Sequence, residues 1–197
     1  MINQKKNSEI VRKLIHYLSS LIPLIYYFYA TKKTAIIIIA FCTALMLIAE
    51  MLRLFGPRCK KLYWKIFGWL TRSYEEKFIT GATFLYISSL FVIIVFPKNI
   101  AVISLLFLTF GDSSACLVGS LIGRIKTIGN KTLEGSIAFF VFAIIATFWV
   151  PGIPFYIKII GALSATFTEV FAIKKIEDNL TIPIVSGFVM YFFFNLL

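Results

Sequence analysis

Seven apolar stretches dominate this sequence, at approximately residues 14–30, 34–52, 80–96, 100–121, 135–150, 154–173 and 180–197, and charged residues crowd into the segments between them. About 20 apolar residues cross the roughly 30 Å hydrocarbon core of a bilayer as a helix. Several of the seven runs fall short of that, which leaves room for tilt or partial re-entry. With 59% of its residues hydrophobic and only 15% charged, the chain lacks the polar surface that keeps a soluble domain monomeric. The expected fold class is all-α: a polytopic membrane protein of about seven transmembrane helices in a single domain over residues 1–197. No small-residue cleavage pattern follows Lys5, Lys6, Arg12 and Lys13, so the first run reads as a span and not as a cleavable signal. Cys42, Cys59 and Cys116 are odd in number and lack metal-ligand spacing, which argues against a disulfide framework or a zinc site.

The basic residues orient the chain. Of the twenty Lys and Arg residues, sixteen fall in the N-terminal segment and in alternate loops, against four (Lys32, Lys33, Lys98 and Lys158) on the other side. The positive-inside rule then places the N-terminus in the cytoplasm. It also accounts for the net charge of +11 without nucleic acid, for which no soluble module with aromatic–basic repeats is present. The acids, which played no part in that assignment, follow it. Glu9, Glu50, Glu75, Glu76, Glu134, Glu177 and Asp178 lie in or beside cytoplasmic segments. Asp112 and Glu169 lie inside spans, each late in a helix running from outside to inside. A carboxylate within a span is costly and usually marks a functional site. A transport pathway would need polar groups at both mouths and near the midplane; here a single face is charged. The segment from Arg58 to Arg72 carries Arg58, Lys61, Lys65 and Arg72 at helical spacing, with Leu62, Tyr63, Ile66, Trp69 and Leu70 on other faces. It reads as an amphipathic helix lying on anionic headgroups, or as an access path for a lipid substrate.

The stretch richest in chemistry runs from Gly111-Asp112-Ser113-Ser114-Ala115-Cys116-Leu117-Val118-Gly119 through Gly123-Arg124 to Lys131-Thr132-Leu133-Glu134-Gly135-Ser136. On a helix Asp112, Ala115, Cys116 and Gly119 share one face, and the small residues let a backbone or a phosphate approach. Asp112 suits a hard cation such as Mg2+ bridging to nucleotide phosphates. Arg124 and Lys131 are placed to neutralise phosphate, and Glu134 is a second carboxylate at the mouth. A small-residue packing seam with one snorkelling acid is the simpler alternative. No Gly-x-x-x-x-Gly-Lys-Ser/Thr loop is present, so the sequence does not support a conventional P-loop.

This arrangement resembles the CTP-dependent lipid kinases: dolichol kinase, phytol kinase and the yeast-type diacylglycerol kinase. Glu9-Ile-Val-Arg12-Lys13-Leu-Ile-His16 resembles their N-terminal Arg-Lys-x-x-His element, and Glu76 with Thr80-Gly81-Ala82-Thr83 their entry to a span. Glu169 and Asp178-Asn179-Leu180-Thr181-Ile182-Pro183 resemble their acidic helix and Asp-Asn-x-x-x-Pro corner. The resemblance implies a transmembrane kinase that moves the terminal phosphate of CTP to a lipid alcohol with a divalent metal. Asp112 would hold the metal, helped by Glu134 or Asp178. The phosphates would lie on Arg12, Lys13, Arg124 and Lys131, close to Gly119 and Thr132. Glu169 or Asp178 would take the alcohol proton, and His16 and Asn179 are further candidates. The short chain points to an isoprenoid acceptor of the polyprenol or dolichol type in a prokaryotic cell membrane, with the active site facing the cytoplasm; diacylglycerol is the alternative acceptor. A phosphatidate cytidylyltransferase is a further reading, but Pro183 is followed by Ile184 and the histidine–glycine corner of those enzymes is missing. A non-enzymatic transporter or scaffold is the reading from a different class. The topology is testable: cysteine introduced at Asn99 should react with an impermeant thiol reagent from outside, and cysteine at Asn130 should not. The reverse pattern would overturn the orientation.

Overall fold

In the computed structural model, which describes residues 11–69, 71, 73–129, 131–171 and 177–197, the apolar stretches are helices. Lys5, Lys6, Glu9, Leu70, Arg72, Asn130, Lys174 and Lys175 lie outside the described residues. The described chain runs as α1 (residues 11–18), α2 (Leu21–Tyr29), α3 (Lys32–Phe55), α4 (Pro57–Phe67), a 3-10 turn (Ser73–Glu76), α5 (Gly81–Val95) and α6 (Lys98–Leu106). A π-helical turn (Phe107–Asp112), α7 (Ser113–Ile122), α8 (Leu133–Thr147), α9 (Phe155–Phe171) and α10 (Asp178–Phe194) complete it. Among the described residues no strand forms, and an isolated antiparallel bridge joins Lys126 to Thr132.

A helix that is apolar on every side belongs in the middle of its fold. Residues 100–108 are of that kind, and they are buried without exception. The rod of α6, the π turn and α7, Lys98–Ile122, is the axis around which the other helices stand, with 25 residues. It and the 24-residue α3 are long and apolar enough to cross a bilayer. Helices α5 and α8, of 15 residues each, and α10, of 17, are apolar but shorter. At 1.5 Å per residue they reach about 22–26 Å.

The surface is turned inside out relative to a water-soluble protein. On α3, Ile37, Phe41, Ile48, Met51 and Phe55 are exposed while Thr43, Glu50 and Arg53 are buried. On α1, Leu14 and Leu18 are exposed while Lys13 is buried. Exposed apolar side chains in such density require hydrocarbon as their solvent, which makes the chain an integral membrane protein.

The first expected span is divided into α1 and α2. Ser19 donates its hydroxyl back to the carbonyl of His16 at 2.5 Å, and Pro23 has no N–H to offer the carbonyl of Ser19, so the helix breaks there. Pro183, expected to mark a corner, lies inside α10 instead. The carbonyl it deprives is that of Asn179, four residues back. Ser88 Oγ of α5 supplies the missing donor at 2.7 Å, so the helix continues.

At the end remote from the acids the lysines bind helix-terminal carbonyls. Lys32 Nζ donates to the carbonyl of Phe96 at 3.0 Å, and Lys98 Nζ to that of Ala30 at 2.9 Å, a reciprocal clasp between two turns. Lys158, buried in α9, donates to the carbonyls of Thr147, Phe148 and Val150 at the end of α8. Each ammonium meets the negative end of a helix.

The Ser88–Asn179 bond gives a direct test. Ser88→Ala should cost about 1–2 kcal/mol in unfolding by leaving a partly buried carbonyl unsatisfied. In Ser88→Ala/Pro183→Ala the restored N–H at position 183 can serve Asn179, so most of the loss should return. Additive losses in the double variant would refute the account.

Candidate active site

The ends of α3 and α9, the beginnings of α5, α8 and α10 and one face each of α1 and α7 meet around one cavity of about 1000 Å³. Asp112, Glu169, Asp178, Glu50, Glu75 and Glu177 all contribute to its wall, and the cations Arg12, Lys13, Arg53 and Lys131 stand among them. Six of the nine acids that the sequence places on one side of the membrane thus share one chamber.

Asp112 closes the π turn, a helical irregularity that recurs at functional sites. The turn is packed tightly: a Cβ on Gly111 would lie 2.7 Å from the ring of Phe139. The Asp112 carboxylate is 6% exposed and receives the ammonium of Lys13 on Oδ2 at 2.5 Å. His16 Nε2 lies 3.6 Å from the same oxygen. Lys13, His16 and Tyr17 share one face of α1, and Tyr17 Oη meets Ser114 Oγ at 2.6 Å. The inward face of α1 is therefore fitted to the start of α7.

Lys131 forms a second centre. Its ammonium lies 2.5 Å from Glu169 Oε1 and 3.0 Å from Asp178 Oδ2. Burial on its own would lower the pKa of Lys131, but the carboxylates of Asp178, Glu169 and Asp112 outweigh burial and raise it. A raised value means that the ion-pair contribution is complete below the unfolded pKa of about 10.4 and fades only as pH climbs through the folded value. Lys131 is a full cation at every physiological pH. Glu169, 3% exposed, has Oε1 on Lys131, while its Oε2 is buried without a hydrogen-bond partner.

Ala115, Cys116 and Gly119 face the cavity together with Asp112, as their spacing requires. Gly119 also belongs to a packing seam: a Cβ there would lie 2.8 Å from Thr132 Oγ1 and 3.7 Å from Gly135 Cα. Thr132 is the N-cap of α8, accepting from the N–H of Gly135 at 3.2 Å. Two expected participants stand apart. Glu134 accepts from the backbone N–H groups of Arg124 and Ile125, at 3.0 and 3.2 Å, and so folds the loop after α7 back on α8. Neither Glu134 nor Arg124 is part of the cavity wall. The short loop aims the first carboxylate at backbone donors, a choice that spacing alone does not reveal.

Sequence reasoning missed a third cluster. Arg53, 3% exposed, sends Nε and Nη2 to Glu50 Oε2 at 2.8 and 2.5 Å. It also donates to the carbonyls of Glu75 and Phe78 at 2.7 and 2.6 Å. Glu50 Oε1 accepts from the Thr80 N–H and from the hydroxyls of Thr80 and Thr83. Glu75 Oε1 accepts from the Gly81 N–H at 3.0 Å, and Asn179 Nδ2 donates to the Gly81 carbonyl at 2.8 Å. The network thereby fastens α3 to α5, and α5 to the residue next to Asp178. Its signal was present in the sequence, since Glu50 and Arg53 are three residues apart in an apolar helix.

An integral membrane protein with a deep cavity in which carboxylates are matched to cations is equipped to handle a phosphorylated ligand next to lipid. No family model matches the chain, and no solved structure matches it. Among curated proteins, a CTP-dependent diacylglycerol kinase of Schizosaccharomyces pombe is 30% identical over 206 residues, covering 94% of each chain. Its namesake in Saccharomyces cerevisiae is 26% identical over 209 residues, 92% of this chain and 72% of that one. An uncharacterised protein of Rickettsia prowazekii is 30% identical over 183 residues, 88% of each. The chain belongs to the CTP-dependent lipid kinase family. These names match the diacylglycerol alternative and not the polyprenol or dolichol acceptor expected first from the short chain.

The buried and the exposed ion pairs should separate cleanly. Arg53→Met leaves Glu50 charged without its partner and should cost about 3–5 kcal/mol of stability. Lys60 meets Glu76 at 3.4 Å with both side chains about half exposed, and Lys60→Met should cost less than about 1 kcal/mol. Thermal unfolding in detergent measures both; equal effects would remove Arg53 from its assigned role.

Proposed function

We propose that this chain transfers the γ-phosphate of CTP to the hydroxyl of diacylglycerol. The reaction would take place at the cytoplasmic mouth of a seven-span, single-domain kinase whose N-terminus lies inside. The observation that carries the reading is the pairing of Lys13 with Asp112 and of Lys131 with Glu169 and Asp178 in one cavity. Phosphoryl transfer needs positioned positive charge and in-line geometry more than covalent chemistry. Family membership supports CTP as the donor, and the names of the relatives support diacylglycerol as the acceptor.

Arg12, Lys13 and Lys131 supply charge for the triphosphate. As the phosphates arrive, they compete with Glu169 and Asp178 for the ammonium of Lys131, which releases a carboxylate when the acceptor needs a base. The acceptor oxygen forms a bond to the γ-phosphorus, the bond to the β–γ bridging oxygen breaks, and CDP departs with that electron pair. The hydroxyl proton passes to Glu169 Oε2, the buried acceptor without a partner. His16 and Asn179 position these groups, through Asp112 and through Gly81.

A divalent cation fits the donor set. Among the described residues no three His, Cys, Asp or Glu side chains converge, but Mg2+ ordinarily takes one or two carboxylates, waters and substrate phosphates. Asp112, with Asp178, would hold it, and once bound it would neutralise charge on the phosphates. Glu134, which accepts from the loop backbone, is left out of this assignment.

Purified protein in nanodiscs should label diacylglycerol from γ-labelled CTP, with ATP and polyprenol poor substitutes. Preference for polyprenol would overturn the acceptor, and equal use of ATP would overturn the donor. Asp112→Asn should cut turnover about 10²–10³-fold while the protein still inserts and purifies. Near-normal turnover in that variant would reject the site.

A further inference from the structure

Helix α4 contributes no buried residue. It starts at Pro57, directly after Gly56 closes α3, a helix long and apolar enough to cross the bilayer. Its position is set by that junction: the span delivers the chain to the headgroup layer, and α4 sets out from there. It carries Arg58, Lys60, Lys61 and Lys65 and no acid. Arg58, Lys61 and Lys65 recur at spacings of three and four and form one stripe. Beside them Leu62, Ile66 and Trp69 are 60%, 49% and 59% exposed. Water suits only the first stripe and hydrocarbon only the second; the boundary between the two suits both, with the lysine stems reaching upward to phosphate.

The other side of α4 looks inward. Tyr63 and Phe67 are part of the cavity wall. The Arg53 guanidinium lies 5.1 Å from the Tyr63 ring centroid, and Tyr63 Oη is 3.1 Å from Thr71 Oγ1. One short helix therefore touches the membrane surface on one face and roofs the reaction chamber with the other.

We infer that α4 is a binding surface for anionic phospholipid headgroups, and that their phosphates on Arg58, Lys61 and Lys65 hold Tyr63 and Phe67 over the cavity. The ligand is the phosphodiester of a bilayer lipid, recognised by charge. Each basic residue beside an anionic leaflet adds roughly a fivefold gain in affinity, and salt weakens it. The inference stands on the geometry of α4 and not on the reaction proposed above, so neither depends on the success of the other.

Two readouts test it, and neither uses turnover. In Trp149→Phe protein, emission comes from Trp64 and Trp69. In phosphatidylcholine nanodiscs, brominated phosphatidylglycerol should quench this emission several-fold more than the same fraction of brominated phosphatidylcholine. The excess should vanish in high salt and in Arg58→Gln/Lys61→Gln/Lys65→Gln, whose melting temperature should match that of the parent. Equal quenching by the two lipids, or an excess that survives in the triple variant, overturns the lipid site. The roof is tested at Cys116, a cavity residue, in a Cys42→Ser/Cys59→Ser background. Its reaction with neutral N-ethylmaleimide should slow several-fold when phosphatidylglycerol is present, and not in the triple variant. A rate indifferent to lipid overturns the coupling to the cavity.

Discussion

An isolated carboxylate inside a membrane helix is among the least tolerable groups a fold can hold, and Asp112 is held because Lys13 comes to it from another element. Either charge without the other would be a buried ion stripped of its nearest counter-charge. The pairing accounts for the inverted character of α1. Its polar face turns inward because that is where Asp112 is, and its apolar face is left to lipid. It also makes α1 part of the site instead of a mere anchor, since Lys13 and His16 reach Asp112 and Tyr17 reaches Ser114. Lys13 and Asp112 are thus both withdrawn from water, each the nearest counter-charge of the other.

The same economy governs the rest of the chamber. Every oxygen of Glu50 and every nitrogen of Arg53 has a named partner. A polar network in a low-dielectric interior stiffens a structure only when it is complete in this sense. Through Thr80, Gly81 and Asn179 it reaches the neighbour of Asp178, so the ends of three helices are fixed relative to the carboxylates. At the opposite end the lysines serve helix termini. The two ends of the protein use the same kind of side chain differently, one to cap helices and one to pair with carboxylates.

Much of this was readable from residue order. Apolar runs give helices in any solvent, and the cost of intramembrane charge singles out Asp112 and Glu169. That the acids share one end follows from helix direction alone. What escaped depends on three-dimensional partners. Glu50 and Arg53 resemble ordinary charges at a membrane margin until the loop at Glu75–Phe78 closes over them. Pro183 resembles a corner because nothing near it in sequence announces that Ser88 will serve Asn179. Glu134 resembles a site acid because its capture by two backbone amides is a matter of loop geometry. The acceptor was unreadable for a different reason: a diglyceride and a polyprenol each present one hydroxyl on an apolar body.

The π turn at Phe107–Asp112 separates two properties of the central rod that are usually tied together. Its length decides whether it reaches across the bilayer, while its phase decides which way its side chains look. A π turn takes up one residue more than an α turn, and each residue rotates a helix by about 100°. Upstream, residues 100–106 are buried on all sides, so rotation there alters little. From the close of the turn onward, Asp112, Ala115 and Gly119 look at the cavity. The turn works as a clutch between a half that tolerates any angle and a half that tolerates one. The same span could gain or lose a residue here and remain a sound membrane anchor while its chemistry faced lipid.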